Sequence, residues 1–252
     1  MSRLSPSRLL VAVSLALAAG STPAGEVLVS AAASLTNAFN DVAKSYEAQY
    51  PGSKVNFNFA ASGVLLQQMA KGAPVDVFAS ADQETMDAAQ KQGLVNRADR
   101  HDFARNTLVL IVPADSKLTL LKLDDLLRPV VLKVAIGNPA SVPAGRYTQG
   151  ALEHATLWPA VQAKAIYTQN VRQSLDYVAR GEVEAGFVYG TDAALMKDKV
   201  KVAITVPLDT AIAYPIASTQ ASANADEAKR FVAYIQSPAA QAILAKYGFM
   251  KP

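Results

Sequence analysis

The chain has 252 residues, and its 24 Lys and Arg against 21 Asp and Glu give a formal net charge of only +3 at pH 7. It contains no cysteine, which excludes disulfides, thiolate nucleophiles and thiolate-bound metals. Charged residues make up 18% of the chain and form no basic cluster, so nucleic acid is not an expected partner.

The first 24 residues have the layout of a cleaved export signal. Arg3 and Arg8 give a basic start, an apolar run extends from Leu9 to Ala19, and small residues end at Ala24. This run is shorter than the ~20 residues that are needed to span a bilayer. We therefore expect residues 1–24 to be a signal peptide and the mature chain to be exported.

Beyond residue 24, apolar runs of strand length alternate with segments of helical periodicity, which is typical of an α/β fold. The spacing of apolar residues predicts helices over 35–46, 171–178 and 228–235. A last helix is predicted to start at Ser237 and Pro238, with its apolar face over 243–247. Strands are predicted at 27–30, 55–59, 75–79, 108–112, 131–136, 165–167, 185–189, 200–206 and 212–217.

Polar residues mark several of the helix starts. Ser34 or Thr36 is expected to cap the first helix. Asn224 and Glu227 have the spacing of a capping box, and Ser237 is expected to cap the last helix.

The chain shows no linker rich in proline and glycine, although its length is sufficient for two lobes of ~100 residues each. Strands themselves are therefore expected to cross between the lobes, and 108–112 and 214–217 are the best candidates. This gives a first lobe of residues 25–106 plus 216–252 and a second lobe of residues 107–215. Because ligands of open α/β sheets bind outside the carboxyl ends of the strands, we expect a ligand in the cleft between the lobes.

Four short segments place a small hydroxyl or a run of backbone amides just ahead of a predicted helix. They are residues 31–39, 58–66, 139–147 and 168–175. A helix N-terminus offers up to four unpaired N–H groups and roughly half a unit of positive charge, so it binds anions without a cationic side chain. Four such ends around one cleft could hold a dianion.

These segments resemble the periplasmic molybdate-binding proteins of ABC importers. The resemblance is carried, in order along the chain, by VLVSAAASLTNAF (27–39), FAASGVLLQQMAKGAPVDVFASADQETMD (59–87), NPASVPAGRY (138–147), NVRQSLDYVARGEVEAGFVYGTDA (170–193) and KYGF (246–249). It implies a type II-like two-lobe fold in which each lobe is a mixed sheet flanked by helices. It also implies a periplasmic location, an ABC membrane permease as partner, and no cofactor; we expect a monomer.

In that family, serine hydroxyls, helix amides and a tyrosine hydroxyl hold the oxyanion. By resemblance, the ligand-binding residues of this chain are Ser34, Ser62, Ala144, Val171 and Tyr189. The ligand is then molybdate or tungstate, with no side chain bound directly to the metal and no catalytic residue. The family's second loop commonly carries consecutive serines, whereas this chain has Ala61 before a single serine.

Each of these residues also has a simpler interpretation. Ser34 could only cap its helix, and Ser62 could be an ordinary turn serine. Tyr189 could be a core tyrosine whose hydroxyl is satisfied within the protein. Ala144 and Val171 have apolar side chains, so only their backbone position selects them.

Two charged residues near these segments are left out of the predicted site. Asp82 is interpreted as a helix cap, because a buried carboxylate would repel a dianion strongly. Arg172 follows an anion-binding amide and is expected to point outward from its helix.

The main alternative is the same binding fold with another oxyanion, such as sulfate or phosphate. An enzyme is less consistent with the sequence, because a serine hydrolase needs a base and the only histidines are His101 and His154. The chain also lacks the G-x-S-x-G motif of a nucleophile elbow. We therefore expect a binding protein.

Overall fold

The computed structural model describes residues 25–252, and the predicted signal peptide (1–24) lies outside these residues. The strands in chain order are β1 (Glu26–Ala32), β2 (Lys54–Ala60), β3 (Val77–Ala79), β4 (His101–Asn106), β5 (Leu108–Pro113), β6 (Val134–Gly137), β7 (Ala165–Thr168), β8 (Ala185–Tyr189), β9 (Val200–Thr205) and β10 (Ile212–Ser218). The helices are α1 (Thr36–Gln49), α2 (Ser62–Ala70), α3 (Gln83–Lys91), α4 (Pro143–His154), α5 (Trp158–Gln162), α6 (Val171–Ala179), α7 (Gly190–Leu195), α8 (Ala225–Ile235) and α9 (Pro238–Lys246).

The strands form two five-stranded mixed sheets. The first has the order β2-β1-β3-β10-β4 and the second has the order β7-β6-β8-β5-β9. In the first sheet, β1 is parallel to β2 and β3, while β10 is antiparallel to β3 and β4. In the second sheet, β6 is parallel to β7 and β8, while β5 is antiparallel to β8 and β9. The predicted α/β fold with two mixed sheets is confirmed.

The chain passes between the sheets at Thr107 and again over residues 206–211. The strand β10 pairs with β4 from Ile212 onward, so residues 212–215 belong to the first sheet. The predicted boundary at 215 is therefore wrong. No strand crosses between the sheets at either passage, because β5 and β10 each pair within one sheet along their length. Pro215 lies at a register shift in the pairing with β4, which is where a sheet tolerates proline.

We call the first sheet and its helices α1, α2, α3, α8 and α9 the first lobe, and the second sheet and α4 to α7 the second lobe. Among residues 25–252, we find no helix with the length and apolar character required to cross a membrane.

The capping predictions had mixed outcomes. The side chain of Ser237 accepts a hydrogen bond from the backbone N–H of Ala240, as predicted. Asn224 makes no side-chain cap, and Glu227 is turned into the core, where its carboxylate accepts a hydrogen bond from the Tyr46 hydroxyl at 2.5 Å. The strand β4 was missed, because its sequence HDFARN contains no apolar run.

The order of elements brings several helix starts to one edge of the sheets. The helix α2 follows β2 after one residue, α6 follows β7 after two residues, and α4 follows β6 after a five-residue loop. Because each helix begins near the carboxyl end of the strand before it, the unpaired N–H groups of these helices face the space between the lobes.

Candidate anion-binding site

The helix starts meet at a small cavity between the two lobes, with a volume of about 10 Å³. This volume is far below the roughly 300–1,000 Å³ of pockets for drug-sized ligands, which restricts the site to a small solute. Its lining includes all five residues predicted for the site, namely Ser34, Ser62, Ala144, Val171 and Tyr189. All the residues of the described range 25–252 that line the cavity have uncharged side chains.

Ser34 does not cap a helix. It lies in a short 3-10 turn (Ala33–Leu35) before α1, and no side chain caps either element. Its Oγ lies 3.0 Å from the hydroxyl oxygen of Tyr214, and Ser34 is only 3% exposed. The capping interpretation of Ser34 is therefore wrong, as is that of Thr36, whose hydroxyl donates back to the carbonyl of Ala33.

Ser62 is the first residue of α2, and it is completely buried. Its Oγ accepts a hydrogen bond from the backbone N–H of Ala81 at 3.0 Å. Because this contact uses a lone pair of the hydroxyl, the hydroxyl hydrogen stays available to donate into the cavity.

Ala144 and Val171 contribute backbone amides. Ala144 is the second residue of α4, after Pro143, and Val171 is the first residue of α6. The side chain of Asn170 caps α6 by accepting from the N–H of Gln173 at 3.1 Å, so it does not compete for the amide of Val171. Amides at these helix positions have no intrahelical acceptor.

Tyr189 is the last residue of β8 and is 1% exposed. Its hydroxyl makes no hydrogen bond to any group in residues 25–252, so it is not a core tyrosine with a satisfied hydroxyl. Leaving such a group unsatisfied costs about 1–3 kcal/mol. Burial raises the pKa of Tyr189 well above its ordinary value, which keeps the phenol neutral and able to donate.

Arg172 does not point outward, contrary to the sequence-based expectation. From α6 in the second lobe, its guanidinium donates to the carbonyl of Ser34 at 3.0 Å and to Oδ1 of Asn37 at 2.8 Å, both in the first lobe. It also forms an ion pair with Asp192 at 2.5 Å. Burial raises the pKa of Asp192, and the charge of Arg172 opposes that shift. Arg172 therefore joins the two lobes beside the cavity.

A second arginine joins the lobes through Asp82. As predicted, Asp82 caps α3 by accepting from the N–H of Thr85 at 3.2 Å. Its carboxylate also accepts two hydrogen bonds from Arg146 of α4, at 2.9 Å from Nε and 2.6 Å from Nη2. Sequence reasoning missed Arg146, since its partner is 64 residues away along the chain and no local pattern links them.

A larger open cleft of about 440 Å³ lies beside Arg146 and the 207–211 segment. Its lining includes the carboxylates of Asp82, Glu84 and Asp209, which would repel an anion. His154 also lies there, with its exposed Nδ1 3.0 Å from a carboxylate oxygen of Asp209. In the described part of the chain, no three His, Asp or Glu side chains are grouped so that they could hold a metal ion.

Comparison with known proteins is consistent with this architecture. A family model described as bacterial extracellular solute-binding protein matches residues 27–250. The molybdate-binding protein ModA of Escherichia coli is 37% identical over 231 residues, covering 89% of this chain and 89% of that protein.

Among solved structures, the periplasmic molybdate-binding protein of Azotobacter vinelandii aligns with a TM-score of 0.78 at 24% identity, covering 90% of this chain and 99% of that one. The sulfate-binding protein SubI of Mycobacterium tuberculosis also aligns with a TM-score of 0.78, at 20% identity, covering 90% of this chain and 86% of that one. At these identities the two structures establish the fold alone. The family match spans nearly all of residues 25–252, and the chain belongs to the bacterial extracellular solute-binding protein family.

Proposed function

We propose that the protein is a periplasmic receptor that binds molybdate or tungstate in the cavity between its lobes. The observation that carries this proposal is the chemistry of the cavity. It is buried, it has no charged lining residue, and its polar groups are positioned to donate hydrogen bonds. A tetrahedral dianion of four oxygen atoms, all of them acceptors, complements such a site.

The donors come from both lobes. The hydroxyls of Ser34 and Ser62 belong to the first lobe, while the amides of Ala144 and Val171 and the hydroxyl of Tyr189 belong to the second. Dipoles held in fixed positions and shielded from water stabilise a negative charge more strongly than the same groups in solvent. Helix N-termini supply this stabilisation without a fixed positive charge.

Separation of the lobes would open the cavity to solvent, and closure would complete the ligand's set of donors. Arg146 and Arg172 favour closure, because each forms contacts from the second lobe to the first. In the proposed role the closed protein then delivers its ligand to an ABC permease, and no chemistry is done on the ligand.

Sulfate is the alternative ligand, since a sulfate-binding protein has the same fold. What favours molybdate is the match to the Escherichia coli molybdate-binding protein, which is closer in sequence at 37% identity. The fold alone does not distinguish the two anions.

Calorimetry on residues 25–252 with molybdate, tungstate, sulfate and phosphate tests the proposal directly. We expect tight binding of molybdate and tungstate at one site, and much weaker binding of sulfate and phosphate. Preferential binding of sulfate would replace the proposed ligand by the alternative. Absence of binding for all four anions would overturn the oxyanion-receptor function.

A further inference from the structure

Behind Ser34, two side chains that do not line the cavity form a buried row of hydrogen-bonding groups. The side-chain nitrogen of Asn106 donates to the hydroxyl oxygen of Tyr214 at 3.2 Å. That oxygen lies 3.0 Å from Oγ of Ser34. Asn106 is 6% exposed and Tyr214 is fully buried, so neither has access to bulk water.

The direction of these hydrogen bonds is determined at Asn106. The backbone N–H of Thr107 can only donate, and it lies 2.9 Å from Oδ1 of Asn106. This contact identifies the amide oxygen and leaves the NH2 group facing both Tyr214 and Thr191, whose Oγ1 is 2.9 Å away. Asn106 therefore presents a donor, never an acceptor, to Tyr214.

Tyr214 must then direct its own hydrogen elsewhere. Oγ of Ser34 is the acceptor within its reach, and a buried O–H without an acceptor is unfavourable. Burial raises the pKa of Tyr214 well above its ordinary value, so its hydroxyl keeps this hydrogen. Ser34 receives the hydrogen bond, and its own hydrogen is free to point into the cavity.

We propose that Asn106 and Tyr214 are positioning residues that hold Ser34 as a hydrogen-bond donor and thereby select anions whose oxygens carry no proton. The inference rests on the proposed function and specifies how its site discriminates among anions. The hydroxyl of Ser62 is also kept as a donor, because its oxygen accepts a hydrogen bond from the backbone N–H of Ala81. Ser34 and Ser62, the two serines that line the cavity, thus both face the ligand as donors.

Hydrogen arsenate is the informative probe. At mildly alkaline pH it is a tetrahedral dianion like molybdate, but one of its oxygens carries a hydrogen that needs an acceptor. In the native protein, Ser34 already accepts from Tyr214 and directs its hydrogen toward the ligand. Hydrogen arsenate is therefore expected to bind much more weakly than molybdate, although the two have the same charge.

The test is the ratio of molybdate to arsenate affinity in Tyr214→Phe, measured by calorimetry at mildly alkaline pH. Without the tyrosine hydroxyl, Ser34 is free to accept as well as donate. We expect molybdate affinity to fall while arsenate affinity is retained, so that the ratio falls about tenfold, the scale of one hydrogen bond. Tyr234→Phe is the matched control, because it removes another tyrosine hydroxyl bonded to a serine, Ser45, away from the cavity.

Asn106→Asp provides a second variant. It keeps the acceptor for the Thr107 N–H but faces Tyr214 with an acceptor, so Tyr214 turns its hydrogen away from Ser34. The added charge acts on both dianions, and a fall in the ratio therefore reports the direction of the hydrogen bonds. A ratio unchanged from the native protein in both variants would overturn the inference. If the native protein bound neither anion, the proposed function itself would fail, and the two failures are thus distinguishable.

Discussion

Gly63 in the first lobe donates its backbone N–H to the carbonyl oxygen of Ser141 in the second lobe at 3.0 Å. A Cβ atom at position 63 would lie 2.7 Å from that oxygen and 2.9 Å from the Cα of Ser141. Both contacts are with backbone, which cannot rotate away as a side chain can. The two lobes therefore approach this closely only because residue 63 has no side chain.

Gly63→Ala is expected to weaken molybdate binding by at least about tenfold, because the added methyl group holds the lobes apart and separates the two sets of donors. Since position 63 is in the first turn of α2, alanine should leave the unliganded protein equally stable or slightly more stable. Calorimetry gives the affinity, and small-angle scattering should show a larger radius of gyration with molybdate than in the native complex.

The matched control for this change is Gly150→Ala. It adds the same methyl group to a helix of the second lobe, at a position where no atom beyond the helix's own backbone and the adjacent residues lies within 4 Å of the new carbon. We expect native affinity for the control. Equal affinities for Gly63→Ala, the control and the native protein would mean that the closed approach at Ser141 is not needed for binding.

Ser34→Ala and Ser62→Ala should each weaken molybdate binding by about 1.5–3 kcal/mol, the usual range for a hydrogen bond to a charged group. Ser62→Ala should also lower the melting temperature, because it leaves the buried N–H of Ala81 without its acceptor. Calorimetry and thermal unfolding measure the two effects separately. Ser45→Ala is the control, since that serine bonds Tyr234 away from the cavity. Native affinity in either cavity variant would remove that serine from the proposed ligand set.

Local features of the fold could be predicted from the sequence, because their causes are local. The caps at Asp82 and Ser237 depend on an N–H three residues ahead. The apolar runs of the strands reflect burial at each position. The strand β4 could not be predicted from local sequence, because it contains no apolar run and is stabilised by its pairing with the distant strand β10.

The contacts that organise the candidate site could not be predicted in this way. Arg172 reaches the carbonyl of Ser34 across 138 residues of sequence, and Tyr214 reaches the hydroxyl of the same serine across 180. No spacing rule connects residues so far apart. The resemblance to a family identified the residues that line the cavity, but not the side chains behind them.

Arg146→Gln is expected to accelerate the release of molybdate by about tenfold with a smaller change in its association rate, because a partly buried charge pair acts mainly on dissociation. The change removes the ion pair between Arg146 and Asp82 while Asp82 can still cap α3. Stopped-flow measurement of ligand release is the direct test.

Arg180→Gln is a suitable control, since Arg180 forms a weak, exposed ion pair with Glu182 inside the second lobe, at 3.8 Å. Release should keep its native rate in this variant. If Arg146→Gln also released molybdate at the native rate and only lowered the melting temperature, the ion pair would be structural and would not act in closure.

Molybdate affinity should stay constant as the pH rises past 10.0, the ordinary pKa of tyrosine. Burial raises the pKa of both Tyr189 and Tyr214, so both hydroxyls remain protonated donors in that range. The same shifts make folding pH-dependent. The two protonated tyrosines stabilise the folded state fully below the pKa of tyrosine in the unfolded chain. This stabilisation is lost as the pH rises toward their raised folded-state pKa values.

Calorimetry and chemical unfolding across the alkaline range check these two trends. A loss of affinity centred near pH 10.0 in the native protein but not in Tyr189→Phe would show that Tyr189 ionises normally in the unliganded state. Its role as a buried neutral donor would then be untenable.

Phosphate should bind far more weakly than molybdate at neutral pH. It keeps at least one proton there, and burying that O–H without an acceptor costs about 1–3 kcal/mol. Asp82 is the acceptor considered from the sequence, but its carboxylate is held by Arg146 and the N–H of Thr85, and it does not line the cavity. Sulfate carries no proton but is smaller than molybdate, so donors spaced for molybdate would reach it through long hydrogen bonds.

Competition calorimetry of phosphate against molybdate at neutral pH tests this prediction. Phosphate affinity within about tenfold of molybdate would mean that an acceptor reaches the ligand, and the model of a cavity lined only by donors would be wrong.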